Sequence, residues 1–287
     1  MQIAIAAVVA LSMLLALALL RRTMAREAAP PQAGAEGAAA AILPSTPSAS
    51  DALVHGGRVL GCFPIAAQIA SECVRPDGPS VLWTTIFGVS AFVAYLVAGE
   101  LGLRTLLRRS LGRELVHGNI AAATVAGASF VATGWVTGHA FAGYDARGLG
   151  LSVGFFVLAL VTLHLGVIIF RAVTVYDDAS QIESGNVAAA LSYAGLNLAM
   201  AILVAFALQG DFESWGASLF GYARALAFAL LVWPVRQLLV GGLLLGRVPR
   251  FRGGPIDEAV AGDRNVGVAA LEAASYVGAA LLAVHAA

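Results

Sequence analysis

Lysine is absent from this 287-residue chain: all 17 basic residues are arginine, and 17 acidic residues balance them to a formal charge of zero. Charge of either sign is scarce. Only 12% of the residues are charged and 59% are apolar, where a soluble domain carries about 25% charged residues; mean hydropathy is +0.84. Those proportions exclude an ordinary water-soluble core. The arginines are scattered between apolar stretches instead of forming one patch, which excludes a polybasic nucleic-acid surface. Cysteine is limited to Cys62 and Cys73, and neither has a metal-ligating partner at useful spacing.

Catalytic signatures are missing as well. The chain has no Walker A glycine loop, no H-E-x-x-H helix and no G-x-S-x-G elbow. His55, His117, His139, His164 and His285 lie far apart in sequence, whereas a zinc site needs at least three convergent ligands. Residues 148–154 are glycine-rich, but they open an apolar stretch without the strand that a dinucleotide fold requires. An intramembrane hydrolase would want a deep serine with histidine or lysine, or paired aspartates; there is no lysine and no deep aspartate. The expectation is a protein that is not an enzyme, with no catalytic residue, no metal and no cofactor.

What the chain does have is long apolar stretches, at 3–20, 81–103, 120–137, 149–170, 187–208, 215–245 and 266–284. A bilayer-spanning helix needs about 20 apolar residues, and no strand-like alternation competes with a helical reading. The expected fold is an all-α membrane protein, a bundle of about seven transmembrane helices in contact with the lipid bilayer. Residues 1–20 form an N-terminal membrane anchor, since Arg21 and Arg22 follow the apolar stretch instead of preceding it as in a signal peptide. Residues 21–80 read as a linker, disordered through its Ala-, Pro-, Gly- and Ser-rich first half. Around 52–70 it becomes mildly apolar but carries His55, Arg58 and Pro64, which suggests an interfacial segment.

Arginine distribution sets an expected orientation. The connections after the second, fourth and sixth stretches carry Arg104, Arg108, Arg109, Arg113, Arg171, Arg247, Arg250, Arg252 and Arg264; those after the third and fifth carry only Arg147. By the positive-inside rule the three arginine-bearing elbows are cytoplasmic. The linker and the C-terminus then lie outside, and Arg21, Arg22 and Arg26 disagree locally. An extracytoplasmic linker could hold a Cys62–Cys73 disulfide; the other reading is two small apolar residues near an interface.

Internal repetition organises residues 81–287. Three segments match: His117-Gly118-Asn119 followed by Ile-Ala-Ala-Ala, Ser184-Gly185-Asn186 followed by Val-Ala-Ala-Ala, and Asp263-Arg264-Asn265 followed by Val-Gly-Val-Ala. Each follows an arginine-bearing elbow and opens a span. Eight residues before the asparagine the second and third copies carry Asp178 and Asp257, where the first has Leu111. Six of the helices therefore form three parallel-repeat hairpins, related by an axis along the membrane normal. Asparagine can cap the helix, a preceding glycine permits an unusual turn, and alanines allow close helix packing. The functional alternative is that the three asparagines converge at the inner mouth of the bundle.

These repeats resemble a bacterial inner-membrane family, the domain of unknown function 350 family that includes the YjfL-like proteins. The resemblance rests on an acidic residue followed by Gly-Asn-aliphatic-Ala-Ala-Ala at a helix start, best seen from Asp178 to Ala190. A weaker copy runs from Asp257 to Ala269, with Arg264 in place of glycine, and the whole covers residues 81–287. It implies a multipass protein of the bacterial inner membrane without an established activity, and it carries no catalytic residues to transfer.

Polar residues inside spans are costly in hydrocarbon and mark functional positions. They are Glu100, His164, Asn197, Arg224, Arg236 and Glu272, of which Glu100 and Arg224 lie where they can snorkel. Glu272 stands seven residues past Asn265, Tyr193 seven past Asn186 and Ala126 seven past Asn119. Arg236, eleven residues before Arg247 on the partner helix, lies roughly 16 Å deep against roughly 10 Å for Glu272, a difference long side chains can close, so the two are expected to pair, with His164 able to reach the group. A backbone carbonyl freed by Pro234 is the other destination for Arg236. Two functions fit this pattern. One is a conduit or sensor for a small ion or solute; the other is a non-transporting scaffold holding a cytoplasmic-side protein partner at the arginine elbows. A homo-oligomer is compatible with either.

Overall fold

In a computed structural model of the chain, residues 2–27, 48–73, 81–108, 110–210, 212–246, 248, 250 and 252–286 are described. Among them there is no strand. Long helices alternate with short ones: α1 (Gln2–Glu27), α2 (Ala49–Glu72), α3 (Val81–Leu106), α4 (Leu111–Val116), α5 (Ile120–Ala140), α6 (Ala146–Arg171), α7 (Asp178–Glu183) and α8 (Val187–Ala207). The chain continues through α9 (Trp215–Leu226), a 3-10 segment (Ala227–Leu231), α10 (Val232–Val235) and a π-helix (Arg236–Leu244). It ends with α11 (Pro255–Asp257), a second π-helical turn (Glu258–Gly262) and α12 (Val266–Ala286). Among the described residues, seven helices are long and apolar enough to cross a bilayer, so this is a multipass membrane protein.

Two of the expected spans change. Residues 49–72 are not an interfacial segment: α2 is a 24-residue helix of crossing length. Its polar residues misled because their partners lie elsewhere in sequence. Arg58 pairs with Glu100 of α3 and stands over the Phe130 ring, 4.6 Å from its centroid. Pro64 is accommodated within the helix. The stretch 215–245, in contrast, is broken into four pieces around Pro234, which has no N–H to donate. The disorder expected of the linker falls on residues 28–47, which lie outside the described residues.

The three expected hairpins are present, each an outer helix, a short elbow helix and an inner helix. A fourth precedes them, made by α1 and α2, which pack on each other. The inner helices α2, α5, α8 and α12 form a row, with extensive contacts between consecutive members. They run parallel. Gly57 lies against Gly127, Gly61 against Gly134 and Pro64 against Gly138, while Gly195 lies against Ala273. Glycine and alanine at these points let backbones touch, which van der Waals packing in a bilayer rewards. The inner helices α5 and α8 are 67% and 72% buried; the outer helices α3 and α6, which show valines and leucines to the surroundings, are 28% and 22% buried.

Because α2 is parallel to α5, residue 49 lies on the same face as the starts of α5, α8 and α12. Arg21, at the end of α1, lies close enough to His55 of α2 to act on it electrostatically. Glu27 and Ser48, the described residues that flank 28–47, thus lie on the elbow face, and the local disagreement over Arg21, Arg22 and Arg26 disappears. The disulfide alternative also ends here. Cys62 and Cys73 are both free and buried, along one helix face line eleven residues apart. That separation is about 16 Å of helix rise, well beyond disulfide reach.

Candidate functional site

The repeated asparagines are structural staples. Asn119 Oδ1 caps α5 by accepting from Ala122 N at 3.0 Å, and Asn186 Oδ1 accepts from Ala188 N and Ala189 N at 3.0 and 3.2 Å. Each also reaches into the following hairpin. Asn119 Nδ2 donates to Ile182 O at 3.0 Å, and Asn186 Nδ2 donates to Val260 O at 3.0 Å. Asn265 Oδ1 caps α12 through Val268 N at 3.1 Å. The asparagines are therefore spaced along the row, Asn119 and Asn186 each at one interface, and do not converge at a common mouth. Gly118 and Gly185 take φ of +69° and +78°, the left-handed turn that glycine adopts without cost; Arg264 holds φ +52° at the third copy.

The polar centre lies where the third hairpin meets the second. Arg236 donates from Nε to Glu272 Oε1 at 2.5 Å and from Nη2 to Asp257 Oδ1 at 2.6 Å. The pair expected from helix depth forms, and the repeat acid joins it. Tyr276, one turn beyond Glu272, donates to Glu272 Oε1 at 2.9 Å. Asp257 Oδ2 accepts from Val175 N at 2.9 Å, tying the centre to the loop after α6. Arg236, Asp257, Glu272 and Tyr276 are all at most 3% exposed. Pro234 sends no carbonyl to Arg236.

A second arginine repeats the arrangement one hairpin earlier. Arg171 closes α6 and binds both oxygens of Asp178, donates to Ser192 Oγ at 2.9 Å, and donates to the Tyr176 hydroxyl at 2.7 Å. Tyr176 joins the two halves. Burial pushes its phenol up, Arg171 draws it back, and the Glu272 carboxylate adds a further upward push. Two arginines thus face three carboxylates, Asp178, Asp257 and Glu272. Three buried polar atoms at the centre have no protein hydrogen-bond partner: Arg236 Nη1, Gln237 Nε2 and Glu272 Oε2. The outer strand carrying Arg236 and Gln237 is π-helical here, a geometry that widens the turn and recurs at functional sites.

Other sequence candidates stand apart. His164 does not reach the centre: its Nδ1 meets Leu160 O at 2.8 Å and its ring lies against Gly102 of α3. Tyr193, the repeat counterpart of Glu272, packs beside the apolar cluster of Ala121, Ile182 and Ala190. Asn197 donates to Ser129 Oγ at 3.0 Å across the α5–α8 interface. Sequence reasoning passed over Arg171, Gln237 and Tyr276. One of them carried a helical signal: Tyr276 is four residues past Glu272. On the opposite face a cavity of about 630 Å³ opens between α5, α6, α8 and α9. Glu72, His139, Glu213, Tyr222 and Arg224 line it, with the buried, unpartnered Ser218 Oγ.

The profile of the family described as Domain of Unknown Function (DUF350) matches residues 48–141 and 144–287. The chain belongs to the DUF350 family. The first match begins at Ser48, the N-cap of α2, so the family unit takes in the helix that sequence reading had left in the linker. The break between matches falls in the turn between α5 and α6. In this DUF350 protein the arginine–carboxylate centre and all three asparagine caps lie within the matched residues. No curated protein and no solved structure matches the chain.

Proposed function

We propose that this DUF350 protein is a multipass protein of the bacterial inner membrane that responds to or conducts a small cation, and catalyses no reaction. The observation that carries the reading is the odd carboxylate. With all five groups ionised the centre sums to one negative charge in a buried, membrane-embedded setting, where uncompensated charge is costly. A small cation at the unpartnered Glu272 Oε2 restores the balance. The broken outer strand supports the same reading, since discontinuous helices in transporters place irregular backbone next to ion sites. The cavity on the opposite face enters along the same outer strand, at α9.

The proposed orientation puts the elbow face in the cytoplasm. Arg21, Arg22 and Arg26 now join the nine elbow arginines there, which strengthens the positive-inside argument.

Thermal unfolding in detergent tests the site. A ligand that binds only the folded state raises the unfolding midpoint with concentration. Added sodium should raise the midpoint of the natural chain, and Glu272→Gln should remove that dependence while leaving the protein folded. Identical profiles for both would overturn the reading. Cation flux into proteoliposomes then separates conduit from sensor. Background flux, no cation dependence, and loss of a co-purifying protein on Arg250→Ala/Arg252→Ala would favour the scaffold instead.

A further inference from the structure

The four inner helices share one register, and it leaves both ends of the row unmatched. Ser48 accepts from Asp51 N as the N-cap of α2 and so stands where Asn119, Asn186 and Asn265 stand in the later hairpins. Counted from these caps, the positions six and seventeen residues on face the next inner helix. In α2, α5 and α8 they are Val54 and Ile65, Val125 and Val136, and Ser192 and Leu203, all at most 1% exposed. In α12 they are Leu271 and Leu282, 45% and 69% exposed. Nine and thirteen residues on, Gly57 and Gly61 of α2 are buried, whereas Ala274 and Gly278 of α12 are exposed.

The opposite face shows the converse. Four and fifteen residues after the cap, Ala123, Ala190, Ala269, Ala201 and Ala280 are at most 1% exposed. Their α2 counterparts, Ala52 and Phe63, are exposed, Phe63 by 49%. Outer helices tell the same story. Helix α3 packs on both α2 and α5, and α6 on both α5 and α8, but the extensive contacts of α1 are with α2.

We propose that the row continues from one copy of the chain to another: the α12 face of one protein receives the α1–α2 end of a second, head to tail and in the same membrane orientation. The interface is the one the chain already makes three times within itself. The α12 face sets exposed Leu271, Leu281 and Leu282 beside Ala270, Ala274 and Gly278, and the small residues leave room for a second helix to approach closely. Asn119 and Asn186 each staple to the hairpin that follows; Asn265 has the same position, and among the described residues no hairpin follows it. A heterologous contact of this kind generates a ring if it closes and an open array if it does not.

Register names the contacts. Gly57 meets Gly127 and Gly195 meets Ala273, nine residues past one cap against eight past the next. Ala274 of one copy should therefore meet Gly56 of the next. Gly61 meets Gly134, thirteen against fifteen, which places Gly278 opposite Phe63, where a glycine leaves room for the ring.

Disulfide cross-linking in native membranes tests this. In a folded Cys62→Ala/Cys73→Ala background, Ala274→Cys and Gly56→Cys in one chain should give a ladder of dimers and higher species on oxidation. Co-expressing the two single variants in separate chains should give dimers only. A Cβ at 56 meets nothing within 4 Å and residue 274 is exposed, so neither change threatens folding. Replacing Ala274→Cys by Ile169→Cys, on the outward face of α6, should abolish the ladder. Absence of cross-linking in the paired variant, an equal ladder from the Ile169 control, or self-linking of Ala274→Cys alone would each overturn the proposal.

Discussion

Asp178 and Asp257 occupy the same repeat position, eight residues before a capping asparagine, yet each takes its arginine from a different depth of the preceding strand. Asp178 is bound by Arg171, seven residues earlier, and Asp257 by Arg236, twenty-one residues earlier. In the second hairpin the outer helix is continuous and its last residue meets the acid directly. In the third, the outer strand is π-helical from Arg236 onward, and the arginine spans Asp257 and Glu272 at once. Replacing Ser192 of the second hairpin by an acid one residue deeper in the third is what makes the carboxylates outnumber the arginines.

Removing Arg236 leaves two buried carboxylates without their cation, whereas removing Glu272 leaves Arg236 its bond to Asp257. Breaking a buried pair costs roughly 3–5 kcal/mol. Arg236→Ala should therefore destabilise by at least that range and Glu272→Ala by less. Equilibrium unfolding of the double variant in detergent should show a smaller loss than the sum of the two. Strict additivity would separate the two residues energetically.

Backbone conformation before the caps predicts a second set of changes. A Cβ at Gly118 or Gly185 meets nothing within 4 Å, so only the positive φ resists substitution. Gly118→Ala and Gly185→Ala should each cost about 1 kcal/mol. Arg264→Gly should gain about the same, because it relieves φ +52° at the price of one exposed hydrogen bond to Ser184 Oγ. Thermal midpoints of the three variants decide the sign.

Asn186 and Asn265 should differ although both cap a helix. Asn186→Ala loses its cap and the buried link to Val260 O, for about 2–3 kcal/mol in total. Asn265→Ala loses the cap alone in an isolated chain, about 1 kcal/mol. Denaturation of detergent-dispersed monomers measures both, and equal losses would remove the staple from the account.

Sidedness is open to labelling. In a cysteine-free background, a membrane-impermeant thiol reagent applied to intact cells should modify Glu213→Cys and spare Ala49→Cys and Ser184→Cys. Labelling at residue 49 but not 184 would restore an extracytoplasmic linker. In the natural chain the same reagent should modify neither native thiol, since both are buried and burial pushes Cys73 up to about 12, leaving it protonated at neutral pH.

Much of the candidate site was legible before the fold. Glu272 and Arg236 stand out because charge in hydrocarbon needs a partner, and helix rise placed them within reach of long side chains, whereas Asp257 stood out only as the acid of the repeat. Arg171 did not stand out, because an arginine at a span end reads as a topology signal until its neighbours are known. His164 misled for the same reason in reverse. Depth along a helix follows from counting residues, but the direction a side chain faces depends on which neighbour it packs against.

Composition and periodicity by themselves determined an all-α membrane protein with three repeated hairpins, since bilayer thickness and backbone hydrogen bonding leave few alternatives for apolar stretches of that length. Only the tertiary structure decided that residues 49–72 form a fourth inner helix. Hydropathy counts Arg58, His55 and Pro64 against a span, whereas folding supplies Glu100 and the Phe130 ring to Arg58 and glycine-to-glycine contacts on either side of it. The row of inner helices follows from the same cause: small residues allow close approach, and which helix comes close is settled by packing between segments far apart in sequence.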